Sequence, residues 1–496
     1  MRKIILTAVL IFSLLLLMGL GLNFSDRFNN FIFANIINPY NPLDIKDSVK
    51  TEAKVEQDYW QDPRGLFPIF AYNVPDSTKD LSTSLRIIEQ GGINIVINAN
   101  LSWMPDPYKV KKAFEKLGNT DLRWLVILVN KCNNDFIFGN TDDETNAHIK
   151  KYLKDFNNKY VYGWYVWDEP GKNRKSCSPF NLVPNDDNAD INRMVKQIRS
   201  DSAYNTKLDF VNLYPTYWDG TPDAKAYEKY IDAFISSQQF KPRVLSFDNY
   251  PFLKSKFGGF RKDYYLNLSI IRKKALEYNN PFWLMLLSSE HLDYKSPTFE
   301  EISMQVYSAL AYGAKGIGYY IYSKSWGNND HKSWILENFV DNDSVADSLH
   351  GPLYLPVKRL NEQVQALGKT LLNLESVEVI HSSDYPNNQK DISESILNRE
   401  RPDLFIKSII NADDLNSDPK VLVGILREKS NNDTTGVYLL VVNKDVDNVV
   451  KVNVLLQKES RIYKFNNDFG DKKFFNLSDT LEANILPGSG ELFYCE

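Results

Sequence analysis

The sequence predicts an α/β fold class: a (β/α)8 TIM barrel followed by a C-terminal all-β sandwich domain. Eight short apolar runs recur between residues 66 and 322, and amphipathic helical stretches separate them. The runs are continuously apolar instead of alternating, which is typical of a parallel sheet with both faces covered. Beyond residue 373 short strand-like pieces succeed one another without a strong helix. This change of pattern indicates a second domain.

The first segment, residues 1–22, predicts export. Arg2 and Lys3 precede a nearly uninterrupted apolar run from Ile4 to Leu22. Such a run is typical of a secretory signal peptide and, at this length, also of a signal anchor that stays in the membrane. The sequence leaves both open. In either case we expect the rest of the chain to be secreted, periplasmic or at the cell surface, with a membrane contacted only through this segment.

Residues 23–60 are polar and without periodicity, and they are predicted to be a linker. The barrel is predicted over residues 61–373, with strands expected at Leu66–Tyr72, Ile93–Ala99, Leu122–Asn130, Val161–Trp167, Leu208–Tyr214, Val244–Asp248, Phe282–Leu287 and Ile317–Tyr322. Eight strand–helix units over about 290 residues match a (β/α)8 barrel in number and length. A doubly wound open sheet is the alternative, but no Gly-rich phosphate-binding turn follows an early strand.

Helices are expected between these strands and once more after the eighth, where apolar residues recur at helical spacing. The clearest are Pro107–Leu117, Ala189–Arg199, Tyr264–Glu277, Pro297–Gly313 and Pro352–Leu372. In the fourth of these, Thr298 is expected to cap the first turn. Glu301 stands three residues further on, as a capping box requires.

Residues 374–496 are predicted to form the β-sandwich domain. Its strands are expected at Val377–His381, Leu404–Ile410, Val421–Arg427, Gly436–Val442, Val449–Leu456, Arg461–Phe465 and Leu481–Cys495. Asn, Asp, Ser and Gly residues separate them, which is typical of turns between short strands.

Composition restricts the partners and cofactors. The net charge is −5 without a basic cluster, which argues against nucleic acid. None of Cys132, Cys177 and Cys495 has the Cys/His spacing of a structural zinc site, so we expect no metal. A Cys132–Cys177 disulfide is the preferred pairing in an oxidising compartment, although the sequence does not establish it. The aromatic share of 13% suits either a large packed core or a sugar-binding cleft.

Functional groups in such a barrel gather at the C-terminal ends of the strands. Here those ends carry carboxylates, amides and aromatic rings, and one histidine, His291, which is expected to be structural. The cations that a phosphate-bearing substrate would need are scarce there, so a neutral carbohydrate is the expected substrate. Candidate substrate-binding residues are Tyr72, Asn98, Trp103, Asp168, Asn212, Tyr214, Trp218, Tyr250, Tyr322 and Trp326. Core packing is the alternative role for the aromatic rings.

Paired carboxylates are the chemistry that these strand ends support. Cleavage of a glycosidic bond needs one carboxylic acid to protonate the leaving oxygen and a second carboxylate as nucleophile or as base for water. Glu169 ends the fourth strand in Trp167-Asp168-Glu169-Pro170, and Glu290 follows the seventh strand. These two strands lie across the barrel mouth from each other. Asp168 and Glu169 are adjacent on an extended chain, so they are expected to point in opposite directions.

A Glu before Pro on strand four, with a second Glu on strand seven, resembles the clan-A glycoside hydrolases, among them family 42 β-galactosidases and family 5 glycanases. The resemblance covers residues 65–370. It implies a retaining hydrolase of O-glycosidic bonds in an oligo- or polysaccharide, with no metal or organic cofactor. It also implies that Glu169 is the general acid/base and Glu290 the nucleophile. The C-terminal domain is similar to the accessory β-domains of such enzymes.

The chain departs from the family pattern at Asp168, where these enzymes usually carry an Asn that holds the sugar 2-hydroxyl. Asp248, which ends strand six, is the alternative catalytic partner of Glu169. That pair would imply an inverting reaction with a wider separation of the carboxylates. A non-catalytic carbohydrate-binding protein on the same scaffold is a further alternative, which two converging carboxylates would disfavour.

Overall fold

The computed structural model describes residues 60–73, 81–98, 106–128, 141–170, 187–217, 223–323, 331–336, 351–382, 405–414, 417, 419–429 and 436–496. The predicted signal or anchor and all but the last residue of the predicted linker lie outside this set. So do Cys132, Cys177, Trp103, Trp218 and Trp326. None of the helices within the set combines the length and apolarity that crossing a bilayer requires.

Eight parallel strands close into a barrel in chain order. They are β1 Ile69–Tyr72, β2 Ile95–Asn98, β3 Arg123–Ile127, β4 Val161–Asp168, β5 Leu208–Leu213, β6 Leu245–Asp248, β7 Phe282–Leu287 and β8 Ile317–Tyr320. β8 pairs with β1 and completes the ring. The predicted barrel is thus confirmed, and the open sheet is excluded. Seven strands lie inside the predicted runs, whereas β4 continues one residue further, to Asp168.

The helices that the structure describes in this domain are α1 Leu81–Gln90, α2 Pro107–Leu117, α3 Asp142–Phe156, α4 Asp187–Ser200, α5 Ala224–Ser237, α6 Tyr264–Glu277, α7 Phe299–Ala311 and α8 Tyr354–Leu371. The predicted capping box begins α7. Thr298 Oγ1 accepts the Glu301 N–H at 3.3 Å, and Glu301 Oε2 accepts the Thr298 N–H at 3.0 Å. The sequence signal therefore marks the start of this helix correctly.

Aliphatic and aromatic side chains together fill the barrel interior. Phe70 packs against Phe210 and Trp283 at ring-centroid distances of 6.0 and 5.7 Å. Gly318 on β8 makes room for Phe70, because a Cβ atom there would lie 1.9 Å from the ring atom Cε2. Trp60, which precedes β1, contacts Trp283 at 5.9 Å. The barrel is therefore a packed core that carries its polar groups at the strand ends.

The C-terminal region is all-β. Its strands are β9 Leu374–His381, β10 Ile406–Asn411, β11 Val421–Glu428, β12 Val437–Asn443, β13 Val450–Phe465, β14 Lys472–Ile485 and β15 Gly490–Cys495. Over the described residues they form one antiparallel sheet in the order β9-β11-β12-β15-β13-β10, with β14 paired to β13. The sequence predicts a sandwich of two sheets, whereas the described strands are hydrogen-bonded into a single sheet.

Two strand boundaries in this sheet differ from the prediction. The stretches Val449–Leu456 and Arg461–Phe465 belong to one strand, β13, because the polar residues between them continue the extended chain through an irregularity opposite β14. Leu481–Cys495 is instead the end of β14 followed by β15. The break is the turn between Ile485 and Gly490, where Gly488 has a φ of 61°, in the region that favours glycine.

One face of the sheet packs on the barrel helix α7. A Cβ atom on Gly424 of β11 would lie 2.3 Å from the Ala311 carbonyl oxygen, and one on Gly490 of β15 would lie 2.6 Å from the Tyr307 ring. The opposite face buries a core of its own, formed by residues that include Val423, Leu439, Val441, Val454 and Phe493. The free Cys495 thiol lies in this second core, where burial raises its pKa to about 12.

Candidate active site

A bulge shapes the end of β4. In the pairing with β5 one residue of β4 is skipped between Tyr165 and Trp167, which leaves Val166 as the extra residue. The bulge changes the alternation of side chains, so that Tyr165 and Asp168 share the interior face although they are three residues apart. The Tyr165 hydroxyl donates to Asp168 Oδ1 at 2.8 Å. Trp167 packs in the core outside the strands.

Glu169 stands at the lip of β4, where the strand ends. Its φ is 50°, in the left-handed region. For a residue with a side chain this conformation costs roughly 1–2 kcal/mol. The Glu169 N–H donates to the Asn212 carbonyl oxygen at 2.7 Å, and the Pro170 carbonyl accepts the Tyr230 hydroxyl at 3.0 Å. The turn that carries Glu169 is therefore held by β5 on one side and by α5 on the other.

A third carboxylate, Asp248, ends β6 and belongs to the same network. Asn212 Nδ2 donates to Asp248 Oδ1 at 2.8 Å, and Asn212 Oδ1 accepts the Ser246 hydroxyl at 2.9 Å. Asp248 is only 5% exposed. The structure thus brings together two residues, Asn212 and Asp248, that the sequence placed at the ends of neighbouring strands.

Three tyrosine rings adjoin these carboxylates. The Tyr320 ring stacks on Tyr250, with centroids 5.4 Å apart and planes inclined by 22°, and lies 5.1 Å from Tyr72. Burial raises the pKa of Tyr72 and of Tyr320, and the charges of the three carboxylates, Asp168 first among them, raise it further. The hydroxyls therefore stay protonated at neutral pH and can donate hydrogen bonds to a polyol.

We call this group the mouth cluster. It comprises Tyr72, Tyr165, Asp168, Glu169, Asn212, Asp248, Tyr250 and Tyr320. Its chemistry is that of carboxylates beside neutral donors and aromatic rings, which suits proton transfer to and from a sugar. In the part of the chain that the structure describes, no three His, Cys, Asp or Glu side chains are grouped so as to hold a metal ion.

Glu290 lies in a different setting. It follows the end of β7 by three residues and pairs its backbone with Lys332 in a two-residue antiparallel ladder. Its Oε1 forms an ion pair with Lys254 Nζ at 3.2 Å. Among the described residues, the Asp248 side chain therefore forms a hydrogen bond within the mouth cluster, whereas the Glu290 side chain forms an ion pair with Lys254. Burial lowers the pKa of the neighbouring His291, so its ring is neutral at physiological pH.

The remaining predicted residues divide between the mouth and the core. Asn98 ends β2 and is 1% exposed. Burial raises the pKa of Tyr214, which follows β5, and the Glu169 charge raises it next. Tyr322 is fully buried, and a Cβ atom on Gly91, just after α1, would lie 2.3 Å from its hydroxyl. The expectation that Tyr322 lines the mouth is corrected: it packs between the barrel and the helices.

Two members of the mouth cluster were missed from the sequence. Tyr320 takes the position expected for Tyr322, because β8 ends two residues earlier than its apolar run. Strand alternation was the usable signal. Residues two apart in a regular strand point to the same face, so the prediction made for Tyr322 applied equally to Tyr320. For Tyr165 no such signal existed. Its alignment with Asp168 depends on the bulge at Val166, which the sequence does not mark.

No protein-family model matches the chain, and no curated protein matches it in sequence. Fold and site together define a class: a (β/α)8 barrel with carboxylates at the C-terminal ends of its strands, followed by a β-domain.

The β-galactosidase from Bacillus circulans sp. alkalophilus shares this fold over 87% of this chain and 99% of its own, at 9% identity and a TM-score of 0.54. A catalytic mutant of a family 42 β-galactosidase from G. stearothermophilus matches over 87% and 98%, at 9% identity and a TM-score of 0.49. Xylanase 10B from Thermotoga maritima matches over 61% and 97%, at 12% identity and a TM-score of 0.42. At such identities the similarity concerns the fold alone, and the comparison of folds rests on the first of these structures.

Proposed function

We propose that this protein is an exported glycoside hydrolase that cleaves O-glycosidic bonds of an oligo- or polysaccharide, with Glu169 as the general acid. One observation carries the proposal: Glu169 stands at the lip of β4 beside Asp168, in one network with Asp248 and with protonated tyrosines. The fold shared with a β-galactosidase supports the same class. The proposal of export rests on the N-terminal apolar segment, residues 4–22.

Each part of the mouth cluster has a task in such a reaction. The Glu169 carboxylic acid protonates the leaving oxygen, and in a retaining reaction its carboxylate then removes a proton from water. The charges of Asp168 and Asp248 stabilise the positive charge that develops on the sugar ring in the transition state. The hydroxyls of Tyr72 and Tyr250 donate to sugar hydroxyls, and the rings pack against apolar sugar faces.

The catalytic partner of Glu169 distinguishes two mechanisms. The family resemblance implies Glu290 as a nucleophile, but its ion pair with Lys254 supports a structural role. Asp248 lies within the mouth cluster, which supports a second candidate, an inverting hydrolase with Asp248 as the base for water. The anomer that is first released, observed by proton NMR, separates inversion from retention.

The test is hydrolysis of a panel of aryl glycosides and polysaccharides by the wild type and by Glu169→Gln, Asp248→Asn and Glu290→Gln. We expect Glu169→Gln to lower kcat/KM by about 10²–10⁴-fold, the usual contribution of a general acid. Glu290→Gln should stay near wild type if the residue is structural. Wild-type turnover by Glu169→Gln on a good substrate would refute the assignment. Binding of polysaccharides without any hydrolysis would identify a carbohydrate-binding protein instead.

A further inference from the structure

Arg261 lies in the loop between β6 and α6, and its side chain is held at the edge of the mouth cluster. Its Cζ is 3.6 Å from the centroid of the Tyr217 ring and 5.8 Å from that of Tyr294. Its Nε donates to the carbonyl oxygen of Tyr250, a member of the mouth cluster, at 3.4 Å. The segments that follow β5, β6 and β7 therefore meet at this guanidinium.

Aromatic rings connect Arg261 to the mouth. The Tyr250 ring meets Tyr294 edge to face at 5.3 Å, and the Tyr294 hydroxyl donates to the Tyr217 hydroxyl at 3.1 Å. Burial raises the pKa of Tyr217, and Tyr294 and the charge of Asp248 raise it further. The positive charge of Arg261 lowers it. The Tyr217 hydroxyl is thus within electrostatic reach of both a mouth carboxylate and this cation.

The guanidinium has N–H groups to offer a ligand. Its five N–H groups lie in one plane, and stacking on a ring leaves the edge of that plane open. Among the described residues the Arg261 side chain donates to the Tyr250 carbonyl and, at 3.5 Å, to the Tyr294 hydroxyl, and both acceptors are neutral. The buried Asp263 carboxylate nearby accepts the Thr216 hydroxyl. Arg261 is therefore a partly exposed cation, fixed in orientation, that can bind an oxyanion.

The segment that carries Arg261 is basic. Residues 249–263 contain a single acid, Asp263, and four cations: Lys254, Lys256, Arg261 and Lys262. Lys254 pairs with Glu290, whereas Lys256 and Lys262 are exposed. In a chain with a net charge of −5, this local positive charge attracts anions to one side of the mouth.

The scarcity of cations at the strand ends predicts a neutral substrate, but Arg261 stands beyond those ends. We propose, on the basis of the hydrolase function above, that the substrate is an acidic oligo- or polysaccharide. Arg261 binds the oxyanion of one of its sugar units, a uronate carboxylate or a sulfate ester. The guanidinium fork matches two oxygens of either group. The oxyanion lies on the Tyr217 side of the mouth, where it is kept from the mouth carboxylates that repel it.

A purely structural role is the alternative for Arg261, because it braces three segments. The two roles have different consequences. Loss of a brace disturbs the mouth for every substrate alike, whereas loss of an oxyanion-binding group affects only a substrate that carries the oxyanion. The ratio of kcat/KM for an acidic substrate to that for its neutral counterpart therefore separates them.

The first experiment uses the full chain and acidic polysaccharides, each paired with a neutral counterpart. Polygalacturonate, glucuronoxylan and hyaluronate, with their carboxyl-reduced forms, test for a uronate. Carrageenan and fucoidan, with their desulfated forms, test for a sulfate. We expect kcat/KM, from the release of reducing ends, to be at least about 10-fold higher for one acidic member than for its counterpart, chiefly through KM. Raising NaCl from about 50 to about 500 mM should reduce this preference, because salt screens the charges.

The second experiment compares Arg261→Gln and Arg261→Lys with Arg359→Gln. Arg359 on α8 is 70% exposed and serves as a matched cation outside the mouth. The acidic-to-neutral ratio of kcat/KM should fall about 10–10²-fold in Arg261→Gln, the usual effect of a lost hydrogen bond to a charged group. It should fall less in Arg261→Lys, which keeps the charge without the fork. Arg359→Gln should keep the ratio. The salt dependence of the wild type tests the proposal if the Arg261 variants fail to fold.

The outcomes separate this inference from the function on which it rests. Hydrolysis that depends on Glu169 and is equal for acidic and neutral members would overturn the acidic substrate and leave the hydrolase standing. An unchanged ratio in Arg261→Gln would overturn the role of Arg261. Calorimetry of the same panel covers the remaining case: binding of an acidic member that depends on Arg261, without hydrolysis, would uphold the oxyanion site and overturn the hydrolase. If no member is bound or hydrolysed, both proposals fall.

Discussion

The three carboxylates of the mouth cluster are held by different means. Tyr165 fixes the Asp168 side chain, and Asn212 donates to Asp248, whereas Glu169 is positioned by its own backbone N–H. Asn212 serves two of them, because its side chain bonds Asp248 and its carbonyl oxygen accepts the Glu169 N–H. At the residue scale Asn212 on β5 therefore links the backbone of Glu169 to the buried carboxylate of Asp248.

Asn212→Ala is expected to destabilise the fold, because it leaves the buried Asp248 without this donor. Loss of one partner of a buried, charged hydrogen bond costs about 1–3 kcal/mol of the free energy of unfolding. Urea denaturation measures it. Asn146→Ala is the control, since Asn146 on α3 accepts a peripheral bond from Gln197 at 3.3 Å. Equal free energies of unfolding for the two variants would contradict the role given to Asn212.

The sequence predicted where the site residues lie better than where they point. The apolar runs set the strand ends, so Glu169, Asp248 and Asn212 could be placed at the mouth. The direction of Asp168 could not be predicted, because the bulge at Val166 results from pairing with β5. The ion pair of Glu290 with Lys254 could not be predicted either, because it joins segments that are distant in sequence and counting strands gives no information on such contacts.

At the scale of elements, β8 shows how closely the strands fit the barrel interior. Gly318 faces inward, and the Phe70 ring of β1 occupies the space that a side chain there would take. Phe70 itself is wedged between Phe210 and Trp283, so its ring has little freedom to move. The close pairing of β1 with β8 therefore depends on a glycine at position 318.

Gly318→Ala is expected to lower the free energy of unfolding by about 1–3 kcal/mol, the usual cost of overpacking a core. Phe70→Leu frees space beside the new methyl group, so the double variant should be more stable than the sum of the single changes predicts. A double-mutant cycle in urea measures this coupling. Additive effects of Gly318→Ala and Phe70→Leu would contradict the packing described.

Element prediction succeeded where the local signal and the tertiary structure agree. Thr298 and Glu301 form their capping box as expected, and α2 and α6 have the predicted bounds. It was less accurate for β8, since the apolar run continues beyond the hydrogen-bonded strand into the core. An apolar run reports burial, which extends past the end of a strand.

At the scale of the whole molecule, the barrel and the C-terminal sheet are joined by partly buried polar contacts as well as by packing. His381 ends β9 and lies between the two. Its Nε2 is 3.0 Å from the Tyr312 hydroxyl, its Nδ1 is 3.3 Å from Lys444 Nζ, and its ring meets Tyr265 edge to face at 4.8 Å. Burial, and then the Lys444 charge, lower the pKa of His381 well below its ordinary value of 6.5.

This depressed pKa predicts a loss of stability in acid. His381 stays neutral in the folded protein, whereas in the unfolded chain it takes up a proton below a pH of about 6.5. The unfolded state then binds more protons, so the free energy of unfolding falls as the pH decreases below that value. The fall in Tm from pH 7.5 to 5.5 should be smaller for His381→Gln than for the wild type. Equal falls would contradict the role of His381.

The architecture of the whole chain was only partly predictable. Counting strand–helix units identified the barrel because each parallel strand must be followed by a crossover. The C-terminal strands were also recognised, but their grouping into one sheet was not. Alternation shows which face of a strand is buried, whereas partners such as β13 and β15 are chosen by tertiary packing.

The central claim is that Glu169 protonates the leaving oxygen of a glycoside. The most direct measurement is kcat/KM of the wild type and of Glu169→Gln on one sugar with leaving groups from dinitrophenol to methanol. We predict a loss of about 10²–10⁴-fold for the poor leaving groups, which need a proton, and a much smaller loss for dinitrophenol, which does not. An equal loss for all leaving groups, or none for any, would contradict the account.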